Sequence, residues 1–330
     1  MIPTRHFVVA LKRQAEIEGY ISQELSIPIE FCDLSNPNLD FEAVECIWVD
    51  MTTRIDSSLL SRFTNLKYLA SPTTGLTHLH LSNSQMKNLQ VISLKGESEF
   101  LKEITSTAEL AWGLALMVWR RIAQASLRYS DDVSVRSEFA GLQLKHLSVG
   151  LIGFGRLGRM LSSYARGFDM RTLYFDPYIE NPELGKSDSV YECKSLEELC
   201  RLSDIIFLVA SHESQRAAQY PILDRKNLQL LKRHSVVVNV SRGSLLDEDA
   251  LADLIEAGDI FGAGIDVLAK EETNGKGISR LQSLQSSGFN VVVTPHIGGM
   301  CSDAFEKAQR FTARRLRDAI SKTGSHIVDQ

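Results

Sequence analysis

The chain has 330 residues, of which 44% are hydrophobic and 23% are charged, and its formal net charge is -5. At about 100–200 residues per domain this length predicts two globular domains. The slight acidic excess argues against nucleic acid or an anionic membrane as a partner.

Neither a targeting segment nor a metal site is indicated. The opening MIPTRHFVVALKRQAE lacks the apolar core and cleavage site of a signal peptide, and the longest uncharged apolar stretch, 110–119, is too short to span a bilayer. The five cysteines are scattered and lack metal-ligand spacing. We therefore expect reduced thiols, a cytoplasmic location and no bound metal.

The first hundred residues alternate short apolar runs with helix-like segments. Helices are predicted near 12–24 and at SSLLSRF (57–63). The predicted strands are FVVAL (7–11), ECIWVD (45–50), LKYLAS (66–71) and LQVISL (89–94). This alternation is typical of a small parallel α/β domain.

A long helix is predicted next. Ser106 and Glu109 have the spacing of a capping box, and apolar residues continue to Ile122 on almost every side. A helix that is apolar all round should be buried, here between domains or between subunits.

A second alternation then supplies six predicted strands. Helices are expected from the end of the first strand to about 167, at SLEELCRL with a Ser195–Glu198 capping box, at 227–233 and at 247–258, where Gly258 ends the helix. The near-continuous apolar runs favour a parallel sheet covered on both faces. A last helix, about 302–320, is expected to pack back on the first domain. The six strands are 147–153, 171–175, 204–210, 235–240, 261–267 and 290–295.

The turn after the first of these strands reads GFGRLG. Gly153 would make the tight turn, Gly155 would let the backbone approach a pyrophosphate, and Gly158 would let helix and strand pack closely. Arg156 and Leu157 open the following helix, whose free N–H groups would face the phosphates. A glycine-rich turn without a ligand is the alternative, but the strand–turn–helix context favours a dinucleotide site.

Asp176 ends the next strand, where a carboxylate would accept hydrogen bonds from the adenosine ribose hydroxyls. It would also repel a 2′-phosphate, and Pro177 and Tyr178 follow in place of an arginine. The sequence therefore predicts NAD in preference to NADP as cofactor.

Polar residues follow three later strands. Arg242 lies after SVVVNV, Glu271 follows FGAGIDV, and His296 ends NVVVTP. The carboxyl ends of parallel strands are where ligands bind, so these side chains form a candidate catalytic set. Each also has an alternative interpretation without a catalytic role: Arg242 as a solvated loop cation, Glu271 as part of a charged turn, and His296 as a loop histidine.

These segments resemble a known family. GFGRLG…YFDP, VNVSRGSLLDEDAL, GAGIDVLAKEE and TPHIGG are similar to the D-isomer-specific 2-hydroxyacid dehydrogenases, strongly from about 104 to 312 and more loosely before that. The resemblance implies two doubly wound parallel α/β domains: a flavodoxin-like substrate domain (1–103 and 299–330) and a Rossmann NAD-binding domain (104–298). It further implies a homodimer joined through the long helix.

The resemblance also implies roles for the polar residues. Arg242 would bind the substrate carboxylate, and His296 would be the acid/base, stabilised as imidazolium by Glu271. Asp266 would hold the nicotinamide carboxamide. Ser241, Thr294, His296 and Gly298 would lie near the cofactor.

The substrate loop departs from the family pattern. SPTTGLTHLH keeps the glycine turn, so the N–H groups of Thr74 and Gly75 should face the substrate carboxylate, but Thr77, His78 and His80 replace the usual acidic and amide residues. We interpret these histidines as surface loop residues rather than ligands. For Lys95 two interpretations remain: a contact with an anionic substrate, or a solvated loop lysine.

Two further departures concern the cofactor side and the acid/base pair. Val209 stands where the family carries a histidine at the cofactor's edge, with His212 three residues later, and Glu271-Glu272 replaces the usual Glu-Pro.

The sequence as a whole predicts an NAD-dependent oxidoreductase that acts on a small 2-hydroxy or 2-oxo acid, similar to phosphoglycerate dehydrogenase. The alternative is an NAD(H)-sensing interaction protein of the same fold, like the corepressors that resemble this family, without significant turnover. Which acid is used is left open.

Overall fold

The computed structural model of the chain describes residues 4–10, 13–49, 53, 55–76, 78–81, 89–129, 132–179, 190–210, 221–273 and 275–325. The chain folds into two compact units. The smaller unit comprises Met1–Glu103 together with Cys301–Gln330, and the larger unit is Ile104–Met300. Within the described ranges, no helix is long and apolar enough to cross a membrane.

The smaller unit contains a five-stranded parallel sheet. The strands described in this unit, including two outside that sheet, are β1 (Arg5–Ala10), β2 (Ile29–Cys32), β3 (Val44–Val49), β4 (Ile55–Asp56), β5 (Tyr68–Ser71), β6 (Leu79–His80) and β7 (Gln90–Ser93). The sheet order is β2-β1-β3-β5-β7, while β4 and β6 pair separately. Among the five sheet strands this is the flavodoxin-like order 2-1-3-4-5, as the resemblance implied. The sequence did not predict β2, β4 or β6.

Apolar side chains cover both faces of this sheet. Along β1, Phe7 and Val9 join one buried cluster and Val8 joins another, since alternate side chains of a strand point to opposite faces. The helices described in this unit are α1 (Gln14–Leu25), α2 (Ser57–Leu60), α3 (Ser98–Leu101) and the C-terminal helix (Ser302–Ser325).

The C-terminal helix belongs to the smaller unit, as predicted. Its Leu316 is fully buried in the same cluster as Phe7, and Gln309 accepts a hydrogen bond from Trp48 Nε1 at 2.8 Å. Arg314 also pairs with Glu24 of α1, at 2.9 Å. The chain thus returns to its first domain after completing the second.

The described residues of the larger unit form seven parallel strands. In chain order they are β8 (Ser148–Ile152), β9 (Arg171–Phe175), β10 (Val190–Glu192), β11 (Ile205–Leu208), β12 (Val236–Asn239), β13 (Gly262–Ile265) and β14 (Val291–Val293). Their order is β10-β9-β8-β11-β12-β13-β14, which reverses beside β8 as in a doubly wound dinucleotide-binding sheet. The predicted fold class is confirmed. The six predicted strands are present, and the sequence missed β10, a three-residue edge strand.

Both faces of this sheet are buried, which explains the uninterrupted apolar runs. In β11, Ile205 and Phe207 belong to one cluster, and Ile206 and Leu208 belong to the other. The helices described in this unit are α4 (Ser106–Trp119), α5 (Ile122–Leu127), α6 (Val133–Glu138), α7 (Arg156–Gly167), α8 (Leu196–Leu202), α9 (Arg225–Leu228), α10 (Glu248–Glu256), α11 (Ala269–Thr273) and α12 (Arg280–Ser286), with a 3₁₀ turn at Gly243–Leu245.

The long helix α4 packs on its own sheet. Eight of its 14 residues are buried, and it contacts β12, β13 and β14. The predicted capping box was wrong: Thr105 is the N-cap residue, Ser106 is already buried in the first turn, and Glu109 accepts a hydrogen bond from Thr105 Oγ1 at 2.5 Å. Its apolar surroundings therefore come from within the unit.

Among the shorter helices, some predictions from local sequence patterns were confirmed and others were wrong. Ser195 caps α8 by accepting from Glu198 N, as predicted, but the Glu198 carboxylate accepts from Lys194 N, so the box is not reciprocal. The helix predicted at 227–233 was wrong, because i→i−3 hydrogen bonds form turns after Leu228. Helix α10 is confirmed, with Gly258 in the left-handed conformation after it (φ 74°).

Candidate active site

The glycine turn between β8 and α7 requires glycine at two positions. Gly153 has φ +97°, and a Cβ there would lie 2.7 Å from the Cα of Ala210. A Cβ on Gly158 would lie 2.5 Å from the Gly153 carbonyl oxygen. Both substitutions would force backbone apart, so the turn is closed by glycine alone.

The N-terminus of α7 fits a diphosphate. Gly155 is the N-cap residue, and no heavy atom lies within 4 Å of the position of a Cβ there. The first-turn N–H groups, which include those of Arg156 and Leu157, have no intrahelical acceptors. The Arg156 guanidinium donates to the Ile104 carbonyl at 2.6 Å, and burial lowers the pKa of that guanidinium.

Asp176 follows β9 and is tied to the glycine turn. Its Oδ2 accepts a hydrogen bond from Phe154 N at 2.8 Å, and its Oδ1 accepts one from Tyr178 N at 3.0 Å. Each carboxylate oxygen keeps a further lone pair. The carboxylate is thus positioned beside the turn with acceptor capacity left for sugar hydroxyls.

The turn that carries Arg242 is organised by Asn239, which the sequence analysis did not single out. Asn239 is fully buried at the end of β12. Its Oδ1 accepts from Ser241 N at 3.0 Å and its Nδ2 donates to the Arg242 carbonyl at 2.9 Å. Ser241 Oγ donates to the Ala210 carbonyl, which joins this turn to the segment after β11. The sequence feature that could have indicated this role is the polar Asn239 within the otherwise apolar strand SVVVNV.

His296 and Glu271 form a hydrogen-bonded pair in the larger unit. His296 Nδ1 lies 2.8 Å from Glu271 Oε2, and Glu271 Oε1 accepts from Leu268 N at 2.9 Å. Burial alone would raise the pKa of Glu271, but the His296 ring and the Leu268 N–H together lower it below its ordinary value. The carboxylate is therefore ionised and only accepts, so Nδ1 carries hydrogen and Nε2 is left to exchange a proton. Of the two consecutive glutamates in the sequence, Glu271 is thus the one that contacts His296 Nδ1.

Asp266 holds the segment that presents His296. The Asp266 side chain is buried, and it accepts hydrogen bonds from Thr294 Oγ1 (2.7 Å), Ile297 N (2.8 Å) and Gly298 N (2.9 Å). His296 N donates to the Asp266 carbonyl oxygen at 3.0 Å. The backbone of His296 is left-handed, with φ 54°, an uncommon conformation for a residue other than glycine that these bonds maintain.

In the smaller unit, the predicted substrate loop follows β5. Thr74 is exposed, and Gly75 and Leu76 are half-buried. Within the described ranges, the N–H groups of these three residues donate to no protein acceptor. Successive free N–H groups of this kind suit an anion.

The interpretation of His78 as a surface residue was wrong. His78 is only 8% exposed, and its Nε2 lies 3.1 Å from Oγ of the fully buried Ser71. Thr77 and His212 lie outside the described residues, and for His80 only its place in β6 is described. Lys95 lines a cavity of about 200 Å³ beside β7 and the C-terminal helix.

The residues of the larger unit fit a bound dinucleotide. Open space at Gly155, first-turn N–H groups without intrahelical acceptors and a carboxylate after the next strand match the needs of a diphosphate and its ribose. An ionised carboxylate–histidine pair and an arginine follow later strands of the same sheet. The fold and this site define a nicotinamide-dinucleotide-dependent dehydrogenase.

Comparison with known proteins identifies the family. The family model described as D-isomer specific 2-hydroxyacid dehydrogenase, NAD binding domain, matches residues 112–298. The chain belongs to this family and is an NAD-dependent oxidoreductase.

Individual relatives agree with that assignment. The chain is 30% identical to a hydroxypyruvate reductase of Thermotoga maritima over 86% of this chain and 87% of the relative. It is 29% identical to a glyoxylate reductase of Thermococcus litoralis, over 83% and 80% of the two chains. A D-lactate dehydrogenase from Aquifex aeolicus, solved with NAD and lactic acid, superposes with a TM-score of 0.77 at 23% identity, covering 96% of each chain, which shows a shared fold.

Proposed function

We propose that this protein transfers a hydride reversibly between the nicotinamide C4 of NAD(H) and C2 of a small D-2-hydroxy or 2-oxo acid. The observation that carries the proposal is the pairing of His296 Nδ1 with an ionised Glu271, at 2.8 Å. Bound NADH supplies the hydride. The chain must then bind the acid, orient it and supply or remove one proton.

His296 is the acid/base in this proposal. In reduction, its Nε2 donates a proton to the oxygen of the 2-oxo group, which becomes the hydroxyl of the product. In oxidation, the same nitrogen removes the hydroxyl proton. Glu271 fixes the ring through Nδ1 and stabilises the imidazolium. The hydrogen bonds of Asp266 to the 294–298 segment support this role, because they hold the histidine backbone in its left-handed conformation.

The substrate carboxylate is assigned to Arg242 and to the loop of the smaller unit. A guanidinium offers two parallel N–H donors that match a carboxylate, and the Asn239 bonds hold its turn in place. The N–H groups of Thr74 and Gly75 supply further donors.

The cofactor is assigned to the glycine turn and the neighbouring strand ends. The backbone of Gly155, Arg156 and Leu157 would hold the diphosphate, with Gly153 and Gly158 closing the turn, and Asp176 would bind the ribose. The groups assigned to the nicotinamide end are Ser241, Asp266, His296 and Gly298.

Small 2-oxo acids as the substrate class are supported by two of the relatives, whose names refer to hydroxypyruvate and glyoxylate. The test is NADH oxidation by the purified chain against hydroxypyruvate, glyoxylate, pyruvate and phosphohydroxypyruvate. We expect turnover with at least one of these acids and a preference for NADH over NADPH, because Asp176 would repel a 2′-phosphate. Absence of turnover with every 2-oxo acid would contradict the proposal.

We further propose a cytoplasmic homodimer. Apolar side chains are exposed on the segment after α4, and all five cysteines are free, as a reducing compartment would require. Light scattering of the purified chain measures the mass, and a monomer at micromolar concentration would contradict the dimer. The exposed residues and their exposed fractions are Ile122 (46%), Leu127 (87%), Tyr129 (88%), Val133 (67%) and Leu142 (60%).

The alternative of an NAD(H)-sensing protein without turnover is not favoured. The two relatives described above are named for reductase activity. The same NADH-oxidation assay separates the two functions, because a sensor would bind NADH without consuming it.

A further inference from the structure

A chain of side-chain hydrogen bonds supports the predicted substrate loop. His78 Nε2 lies 3.1 Å from Ser71 Oγ, and Ser71 Oγ lies 2.9 Å from Thr73 Oγ1. Thr73 Oγ1 donates to the Gly75 carbonyl oxygen at 2.8 Å. We call these three side chains, His78, Ser71 and Thr73, the loop relay. Two of its members are buried, with Ser71 at 0% and His78 at 8% exposure.

The direction of every bond in the loop relay follows from its last acceptor. A carbonyl oxygen cannot donate, so Thr73 donates its only hydroxyl hydrogen to the Gly75 carbonyl. Thr73 Oγ1 must then accept from Ser71 Oγ, and this bond uses the only hydroxyl hydrogen of Ser71. The remaining bond therefore has His78 Nε2 as its donor, and Nε2 carries a hydrogen.

The two ends of the loop are fixed to neighbouring strands. The Thr73 carbonyl accepts from Leu94 N at 3.0 Å, just beyond β7. The His78 carbonyl accepts from Ile55 N, at the start of β4, at 3.1 Å. The middle of the loop contains Gly75, whose backbone has wide conformational freedom. The loop relay supplies the restraint that this residue lacks.

Holding the Gly75 carbonyl also orients the next N–H group. The Gly75 carbonyl and the Leu76 N–H belong to one planar trans peptide, in which the C=O and N–H bonds point in opposite directions. With the carbonyl bonded to Thr73, the Leu76 N–H points away from the loop relay. Loss of the relay would let this peptide rotate and present an oxygen where a carboxylate needs a donor.

We propose that His78 is a positioning residue for substrate binding: through Ser71 and Thr73 it fixes the Gly75–Leu76 peptide so that the loop presents N–H donors to the carboxylate of the 2-oxo acid. This inference rests on the proposed function, which assigns the loop to that carboxylate. It adds His78, Ser71 and Thr73 to the residues that determine substrate affinity.

The kinetic test uses two disruptive variants and two controls. Ser71→Ala breaks the middle of the relay and His78→Leu removes its first donor. His78→Gln keeps an N–H donor on a side chain of similar reach. Ser93→Ala is the matched control, because Ser93 is the register partner of Ser71 in β7 and takes no part in the relay.

We expect a raised KM in the two disruptive variants, by about tenfold, since a lost hydrogen bond to a charged group has an effect of at least this order. The Kd for NADH should be unchanged and the melting temperature should stay close to that of the wild type. His78→Gln should recover most of the substrate affinity, and Ser93→Ala should match the wild type. Wild-type KM values in both Ser71→Ala and His78→Leu would overturn the proposal.

A second measurement does not depend on activity. In ¹⁵N-histidine NMR spectra at neutral pH, His78, assigned by its absence from the His78→Gln spectrum, should carry a hydrogen on Nε2. An Nε2 without hydrogen would overturn the loop relay whatever the kinetics. If the wild type used no 2-oxo acid while Nε2 carried its hydrogen, the proposed function would fail and the relay would stand as a structural restraint without the substrate role.

Discussion

Gly243 lies directly against the backbone of Ala269, so a Cβ on Gly243 would overlap the Ala269 nitrogen. Gly243 follows Arg242, and Ala269 begins the short helix that carries Glu271. The Ala269 N–H also donates to Glu248 Oε1 at 2.6 Å. The turns that present the proposed substrate arginine and the carboxylate of the acid/base pair are therefore in backbone contact.

Gly243→Ala should separate these two turns. We expect a strong loss of kcat/KM, and a free energy of unfolding lower by about 1–3 kcal/mol, as for other overpacked sites. Gly113→Ala is the control, because Gly113 lies in α4 with nothing near its Cβ position and should gain up to about 1 kcal/mol from helix propensity. Urea unfolding and steady-state kinetics measure both effects. A Gly243→Ala enzyme with wild-type kinetics would show that the spacing of the two turns does not matter.

His296→Asn should fold and bind NADH normally, since the side chain is partly exposed and the replacement stays polar. The rate of 2-oxo acid reduction should fall about 100- to 10,000-fold, the range for a positioned general acid. NADH affinity, measured by fluorescence, is the control for folding. Turnover near that of the wild type would remove His296 from the acid/base role.

Glu271→Gln should change the pH dependence of reduction. The Glu271 pKa is lowered, because the contacts with His296 and the Leu268 N–H outweigh its burial, so the carboxylate is charged at neutral pH. Gln removes the charge that favours the imidazolium, and reduction requires that protonated ring. The alkaline decline of the reduction rate should therefore move to lower pH. A pH–rate profile beside the wild type measures the shift, and an unmoved profile would contradict the pairing.

Arg242→Lys should impair use of the 2-oxo acid while sparing NADH binding. A lysine ammonium cannot reproduce the two parallel N–H bonds of a guanidinium, so kcat/KM should fall about tenfold or more. Arg225→Lys is the control, because Arg225 forms an exposed ion pair with Asp253 in the same unit. Equal kinetics for the two variants would exclude Arg242 as the carboxylate ligand.

Asp204→Asn should destabilise the larger unit. The buried carboxylate accepts hydrogen bonds from Lys232 Nζ (2.7 Å), Ser148 N (2.8 Å) and His234 Nε2 (2.9 Å). Burial would raise the pKa of Asp204, but these three donors hold it below its ordinary value. We expect the free energy of unfolding at neutral pH to fall by about 2–4 kcal/mol.

The same variant predicts a pH window. Because the folded pKa of Asp204 is depressed, its contribution is present above the unfolded pKa and is lost as pH falls through the folded value. The difference in urea midpoint between wild type and Asp204→Asn should therefore shrink below about pH 4. Asp253→Asn is the control: this carboxylate is paired but exposed, so its loss should change stability much less than the loss of Asp204. A constant difference down to low pH would contradict this account.

Most of the larger unit followed from local patterns. The six predicted strands are apolar on both faces, so burial and β propensity agree, and a Gly153 turn that admits no side chain has one structural interpretation. Where a pattern was short or shared, prediction failed. The edge strand β10 has three residues, and the helix with the capping box predicted at Ser106 instead has Thr105 as its N-cap residue, without a side-chain capping hydrogen bond.

The sequence by itself determined the two α/β folds, the dinucleotide turn and the residue types that follow the strands of the larger unit, because strand periodicity and glycine requirements act over a few residues. Only the tertiary structure decided which side chains meet. Glu271 and His296 are 25 residues apart in sequence and 2.8 Å apart in space. His78 is buried, and its Nε2 lies 3.1 Å from Oγ of Ser71 at the end of β5. Such hydrogen-bond partners are selected by packing that no local pattern encodes.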